Sequence, residues 1–158
     1  METLKVETNN RGIENSGITN DFNTAICEFI WNSFDAHASI VDITYIKNEL
    51  EYIDSFTITD NGDGINREEI QSTFGNFLDS QKKETFQRKS DVHGRKGKGR
   101  FSFIAFANDA EWTTKYVSKE DKCVYEYKIN VDGSSKNVYQ RSNKILSDNL
   151  RIGTKKLF

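Results

Sequence analysis

The sequence predicts one compact domain in which helices and β-strands are mixed. Its 158 residues suit a single domain. From about Thr19 to Phe34 apolar residues recur every three or four positions, which is typical of an amphipathic helix. Later segments instead alternate between apolar and polar residues, as half-buried strands do; they are 39–46, 53–58, 111–117 and 123–131. The first two are close enough in the chain to pair as a hairpin.

Net charge, aromatic content, cysteine content and the length of apolar runs each limit the class of protein that this chain can be. The net charge of −2 indicates no general attraction to nucleic acids or membranes. The periodic aromatic residues, 12% of the chain, argue against disorder. Cys27 and Cys123 are too few and too far apart for a disulfide framework or a zinc site, so we expect an intracellular, cytoplasmic protein. No apolar run has the length of a membrane span, and the polar start is unlike a signal peptide.

The remaining segments are less regular. Residues 1–17 are polar with one short apolar alternation, which predicts an N-terminal arm or an edge strand. Asn66, with Glu69 three positions later, resembles a capping box and predicts a short helix over 67–74. Residues 138–150 have no clear pattern. The final segment, 151–158, is predicted to be a strand.

The turn that follows the strand 53–58 contains Asp60, Gly62, Asp63 and Gly64. The carboxyl ends of strands are where open α/β sheets bind ligands, and glycines let a ligand approach the backbone closely. A plain tight turn uses the same residues. A calcium loop of the EF-hand type is excluded, because neither possible register has the required carboxylates and final glutamate.

The predicted helix carries Glu28, Asn32 and Asp35 at spacings that align them on one face. Most such polar stripes only face solvent. Asparagine is a poor helix former, however, and its position between two carboxylates suggests a function. A carboxylate and an amide oxygen one turn apart could bind a hard cation such as magnesium.

A long basic stretch, about 75–100, is difficult to fit into regular structure, which predicts a functional lid, a binding loop or disorder. It ends in Gly94, Gly97 and Gly99, ahead of an apolar run that begins at Phe101. This order favours an anion-binding loop that leads into a helix N-terminus. The Walker loop and the dinucleotide fingerprint both fail to match. A basic flexible loop, with nucleic-acid contact as a variant, remains an alternative.

Taken together, these motifs resemble the ATP-binding domain of the GHKL superfamily, which includes gyrase-type topoisomerases, heat-shock-90-type chaperones, histidine kinases and MutL-type repair proteins. The resemblance covers about residues 18–158. It rests on four motifs in the family's order: Glu28-x3-Asn32-x2-Asp35-Ala36, Asp60-x-Gly62-x-Gly64, Gly94-x2-Gly97-x-Gly99 and Gly153-Thr154. The resemblance implies an α+β fold, a two-layer α/β sandwich (Bergerat fold) with helices on one face of a mixed, mostly antiparallel sheet.

The resemblance also implies a role for each motif. Asp60 would accept a hydrogen bond from the adenine amino group with help from Thr154, while Gly62 and Gly64 leave room for the base. Asn32 would hold magnesium, and Glu28 would activate the attacking water. A mobile lid would span about 75–98. The other nucleotide contacts implied are Asp35, Ala36, Ile65, Lys82, Gly94, Lys96, Gly97, Lys98, Gly99, Arg100 and Phe101.

The function implied is that of an ATPase. The chain would bind ATP with Mg2+, hydrolyse it slowly, and use lid closure and formation of a homodimer to switch a larger protein of which it is the N-terminal domain. Three alternatives remain open: a histidine-kinase-type catalytic domain, a non-hydrolysing nucleotide sensor, and a nucleic-acid-associated module.

Overall fold

The computed structural model of the chain describes residues 1–6, 8–15, 17–75 and 99–158. Two α-helices occur in these ranges, α1 (Asn10–Glu14) and α2 (Phe22–Asp35). The strands of the described chain are β1 (Glu2–Lys5), β2 (Val41–Lys47), β3 (Ile53–Asp60), β4 (Asp109–Val117), β5 (Val124–Asp132), β6 (Val138–Arg141), β7 (Ile145–Leu146) and β8 (Gly153–Leu157). Shorter helical turns are π-helical at Gln71–Gly75 and 3-10 at Gly99–Ala105 and Gly133–Ser135.

The described strands form one eight-stranded sheet in the order β1-β6-β5-β4-β8-β3-β2, with β7 beside β5. Every pairing described is antiparallel. The final strand, β8, is inserted between β3 and β4. The α+β sandwich with a mostly antiparallel sheet is therefore confirmed. The sequence predicted the hairpin of β2 and β3, and β1 lies at an edge of the sheet.

The core lies between α2 and one face of the sheet. Along β4 the inward residues Ala110, Trp112, Thr114 and Tyr116 are buried and alternate with partly exposed ones, as the pleat of a strand requires. On α2, Phe29 is 1% exposed, and its ring lies 4.7 Å from that of Phe158. This packing holds α2 over the middle of the sheet.

Local hydrogen bonds define the ends of α2. The carboxylate of Asp21 caps the helix by accepting a hydrogen bond of 2.8 Å from the Thr24 amide. At the other end Ala36 is the C-cap, and His37 follows with a φ of 61°. That left-handed conformation turns the chain out of the helix towards β2.

The segment 67–74 differs from the predicted capped helix. Asn66 accepts from the amide of Glu68 at 3.0 Å, and Glu69 forms an ion pair with Lys119 instead of reaching back to Asn66. The capping-box prediction was therefore wrong, because a tertiary partner holds the glutamate.

The sequence also missed α1, and it left β6 and β7 unassigned. Within the described ranges, no helix has the length and hydrophobicity needed to cross a bilayer.

Candidate functional site

Asp60 is the last residue of β3, and its side chain points towards α2. One carboxylate oxygen, Oδ1, accepts from the Gly62 amide at 3.0 Å and from the Thr154 amide at 3.1 Å. Thr154 lies directly opposite Asp60 in the pairing of β3 with β8. The strand pairing and the following turn therefore fix the orientation of the carboxylate.

The other oxygen of Asp60, Oδ2, contacts two side chains. The Ser33 hydroxyl on α2 lies 2.9 Å away, and the Lys156 ammonium on β8 lies 2.7 Å away. Lys156 also donates to Ser33 Oγ at 2.8 Å. Because Asp60 is 7% exposed and Lys156 5% exposed, this is a buried charge pair bridged by a hydroxyl.

Burial lowers the pKa of Lys156, and the charge and hydrogen bond of Asp60 oppose that shift. On the sheet Lys156 lies between Ile58 of β3 and Trp112 of β4, both buried apolar residues. Two charges in such surroundings are costly unless they pair, and losing one partner from a buried pair typically costs about 3–5 kcal/mol. The cluster of Ser33, Asp60 and Lys156 therefore also stabilises the fold.

The glycines of the turn are required by contacts within the protein. A Cβ on Gly62 would lie 2.5 Å from the Ala36 carbonyl oxygen, and one on Gly64 would lie 2.0 Å from that of Lys115. Gly64 also has a φ of 74°, which favours glycine. These contacts give a physical reason for both glycines in addition to the predicted room for a base.

Several hydrogen bonds tie this turn to the end of α2. The Asp63 amide donates to the Ala36 carbonyl at 2.8 Å. The Asn61 side-chain oxygen accepts from the amides of Ser39 and Ile40, both at 2.9 Å. The two predicted motifs, Glu28 to Ala36 and Asp60 to Gly64, are thus joined at the end of the helix.

An exposed ion pair also joins this turn to the end of α2. His37 Nδ1 lies 2.6 Å from Asp63 Oδ2. The hydrogen bond to Asp63, and then the charge of that carboxylate, raise the pKa of His37. The pair therefore gains strength when the imidazole is protonated.

A row of hydroxyl groups continues from Asp60 across the sheet. Thr154 and Thr114 are paired residues of β8 and β4, and their Oγ1 atoms lie 3.1 Å apart. Thr114 Oγ1 also accepts from the Ile65 amide at 2.8 Å. The predicted residue Thr154 thus lies beside Asp60 and supports the carboxylate through its backbone, and Ile65 joins the row through Thr114.

The other end of the predicted site is formed by α2 and the 3-10 helix that begins at Gly99. A Cβ placed on Gly99 would lie 2.7 Å from Asn32 Nδ2 and 3.0 Å from Glu28 Oε2. The fold therefore brings the last glycine of the third motif against two polar residues of the first. Within the described residues, neither the Glu28 carboxylate nor the Asn32 amide makes a side-chain hydrogen bond.

Arg100 and Phe101 face the protein interior. The Phe101 ring is fully buried, and the Arg100 guanidinium carbon lies 4.9 Å from its centroid and 5.4 Å from that of Phe74. Burial lowers the pKa of Arg100 to about 10, so the side chain stays charged at neutral pH.

The remaining predicted contacts are placed as follows. Asp35 is the last residue of α2, and Ala36 meets Asp63 through its carbonyl. Lys82, Gly94, Lys96, Gly97, Lys98 and the predicted lid beyond Gly75 lie outside the described residues. No group of three or more potential metal-ligating His, Cys, Asp or Glu side chains occurs in the described part of the chain.

An open cavity of about 800 Å³ reaches this site, because Asp60, Gly153 and Thr154 are among its lining residues, but the rest of the lining differs in character. It includes outward-facing residues of the sheet such as Thr59, Thr113 and Lys115, together with residues of the loop 149–152. Lys115 pairs with Glu126 at 3.1 Å there. Because Asp60 and Thr154 line the cavity whereas Ser33, Glu28 and Asn32 do not, the cavity coincides with only part of the predicted nucleotide site.

Sequence reasoning missed Ser33, Thr114 and Lys156. Ser33 directly follows the predicted metal ligand, and Lys156 lies two positions after Thr154 in a predicted strand. Residues two apart in a strand share a face, so the inward position of Lys156 could have been read from the pattern. Nothing in the local sequence identifies its partner, because Asp60 is 96 positions away.

Comparison with known proteins identifies the family of the chain. The family model described as histidine kinase-, DNA gyrase B-, and HSP90-like ATPase matches residues 19–154, most of the chain. The match includes Glu28, Asn32, Asp60, Gly99 and Thr154. Comparison with curated proteins found no match. The chain therefore belongs to the family of histidine kinase-, DNA gyrase B- and HSP90-like ATPases, within the GHKL superfamily.

Proposed function

We propose that the chain binds ATP together with Mg2+ and hydrolyses the nucleotide slowly. The observation that carries this proposal is the meeting of Gly99 with Glu28 and Asn32 on the middle and C-terminal part of α2, where the adjacent Ser33 contacts Asp60. These groups come from three separate motifs, and the fold brings them to one helix. Membership of an ATP-binding family supports the proposal.

The chemistry of these groups suits phosphoryl transfer, in which a protein mainly positions groups and neutralises charge. Bound ATP supplies the phosphoanhydride bond, and magnesium offsets the charge of its phosphates. Magnesium usually keeps several water molecules and takes few protein ligands, so the side-chain oxygen of Asn32 is sufficient as a protein ligand. Glu28 lies next to it and can accept the proton of an attacking water. The backbone near Gly99 would approach the phosphates.

At the other end of the proposed site, Asp60 would accept a hydrogen bond from the adenine base. Its carboxylate is already oriented by the amides of Gly62 and Thr154, so binding would require little reorganisation. The lid, predicted for about 75–98, and nucleotide-dependent formation of a homodimer belong to the proposal on the strength of the family resemblance. So does the role as one domain of a larger, switched protein.

Glu28→Gln tests the hydrolytic step. We expect the variant to bind ATP with unchanged affinity and to release phosphate at least about 100-fold more slowly in single-turnover reactions. Asp42→Asn, which removes an exposed carboxylate on β2, is the matched control and should hydrolyse ATP like the wild type.

Three results would contradict the proposal in different ways. Equal hydrolysis by Glu28→Gln and wild type would remove Glu28 from the mechanism. Absence of ATP binding by the wild-type chain in calorimetry with magnesium would remove the nucleotide function. Transfer of phosphate to a partner's histidine, with none to water, would favour the histidine-kinase alternative. A nucleotide-dependent increase in mass in sedimentation measurements tests the homodimer separately.

A further inference from the structure

The buried cluster of Ser33, Asp60 and Lys156 contains one hydrogen-bond donor without an acceptor. An ammonium group has three hydrogens. Lys156 Nζ donates to Asp60 Oδ2 at 2.7 Å and to Ser33 Oγ at 2.8 Å, and it makes no third hydrogen bond within the described residues. With 6% of its side chain exposed, water offers little compensation. A buried donor left in this way is unfavourable unless a ligand supplies the acceptor.

The protein's own groups occupy every hydrogen-bond acceptor position of Asp60. A carboxylate has about four lone-pair positions, two on each oxygen. Oδ1 accepts from the amides of Gly62 and Thr154, and Oδ2 accepts from Lys156 and Ser33. The protein's own hydrogen bonds therefore account for all four positions.

Of the four groups that donate to Asp60, Ser33 also has a second acceptor within hydrogen-bond distance. Its hydroxyl lies 3.1 Å from the Phe29 carbonyl oxygen and 2.9 Å from Asp60 Oδ2, and it carries a single hydrogen. Rotation of that hydrogen towards Phe29 frees one position on Oδ2 without loss of a bond. The cluster can then present one free acceptor on Asp60 beside one free donor on Lys156.

This pattern fits one edge of adenine. The 6-amino group of adenine is a donor, and its neighbour N1 is an acceptor. Guanine presents two adjacent donors, N1–H and the 2-amino group, for which two free acceptor positions would be needed. Because Oδ1 is fully occupied, Asp60 can offer only one.

We propose that Lys156 contacts the base directly, donating its third hydrogen to N1 of adenine while Asp60 accepts from the 6-amino group. Lys156 is then a specificity-determining residue of the nucleotide site. This inference rests on the proposed binding of ATP. Its physical basis is the side-by-side donor and acceptor, held by a charge pair at the inner face of β3 and β8.

The test compares ATP with 1-deaza-ATP, in which a C–H group replaces N1. We expect the wild-type chain to bind 1-deaza-ATP about tenfold more weakly than ATP in calorimetry with magnesium, a difference of about 1.4 kcal/mol. Lys156→Met should bind both nucleotides with nearly equal affinity, close to that of the wild type for 1-deaza-ATP. Lys155→Met is the matched control, since Lys155 is its exposed neighbour on β8, and it should retain the tenfold difference.

The outcomes separate the two proposals. If the wild type binds ATP and 1-deaza-ATP equally, or if Lys156→Met keeps the tenfold difference, the role of Lys156 is overturned and ATP binding stands. If the wild type binds neither nucleotide, both proposals fail. Should Lys156→Met fail to fold, Lys156→Gln replaces it, because its amide still donates to Asp60; a smaller difference between the nucleotides than in the wild type is then expected. An unchanged difference in that variant overturns the proposal.

Discussion

The two ends of the proposed site are built differently. At the base end the carboxylate of Asp60 is buried and accepts from two backbone amides, a hydroxyl and an ammonium. At the phosphate end Glu28 and Asn32 are partly exposed and make no side-chain hydrogen bond within the described residues. The side chains of the base end are thus bonded to one another as part of the fold, with one Lys156 hydrogen to spare, whereas the two polar side chains of the phosphate end have no such partners among the described residues.

This difference affects how mutations should be interpreted. A change at the base end removes a group that also stabilises the folded chain, so loss of binding there is mixed with loss of structure. A change at the phosphate end removes a group that contributes little to folding. Function and stability should therefore separate cleanly at Glu28 and Asn32 and remain coupled at Asp60 and Lys156.

The largest expected effect is that of Asp60→Asn on stability. The variant leaves the Lys156 ammonium buried without a counter-charge, which should lower the free energy of unfolding by about 3–5 kcal/mol. Urea denaturation followed by circular dichroism measures this loss. The double variant Asp60→Asn with Lys156→Met removes both charges and should recover most of it. Equal destabilisation of the single and double variants would show that the ion pair is not responsible.

Gly64→Ala should have the next largest effect. Its φ of 74° and the 2.0 Å approach of a Cβ to the Lys115 carbonyl should lower the free energy of unfolding by at least about 2 kcal/mol. Gly12→Ala is the control, because there the nearest atom is a threonine hydroxyl that can rotate away. Its effect should stay within about 1 kcal/mol. A Gly64→Ala variant as stable as the wild type would contradict the tight packing of this turn against β4.

Asn32→Ala examines the phosphate end. We expect the affinity for ATP with magnesium to fall at least tenfold, about 1.4 kcal/mol, in calorimetry. The free energy of unfolding should stay the same or rise by a few tenths of a kcal/mol, since alanine is the better helix former. Loss of affinity only together with loss of stability would contradict the separation of function and stability at this end.

The smallest expected effect concerns the exposed pair of His37 and Asp63. The pKa of His37 is raised in the folded chain, so the pair stabilises the fold below the unfolded pKa of about 6.5. That contribution is lost as the pH rises through the folded pKa. In an NMR titration, Asp63→Asn should lower the pKa of His37 towards its ordinary value, and Asp42→Asn should not change it. An unchanged pKa in Asp63→Asn would exclude the pair as the cause.

Much of the site could be predicted because its motifs are local. The helical spacing of Glu28 and Asn32, the turn at Asp60 and the Gly153-Thr154 pair are each visible within a few residues. The capping box at Asn66 could not be judged in the same way, because the Glu69 carboxylate finds Lys119, 50 positions later in the chain. Local patterns predict elements, and distant partners then decide what individual side chains do.

The same distinction between local patterns and distant partners applies to Asp60 and Lys156. The sequence by itself determined that an aspartate lies where a strand ends and that glycines follow the aspartate, because turn chemistry is local. Only the tertiary structure decided that a lysine pairs with this aspartate. The insertion of β8 between β3 and β4 brings Lys156 to Asp60, and strand order arises from long-range pairing that no short pattern specifies.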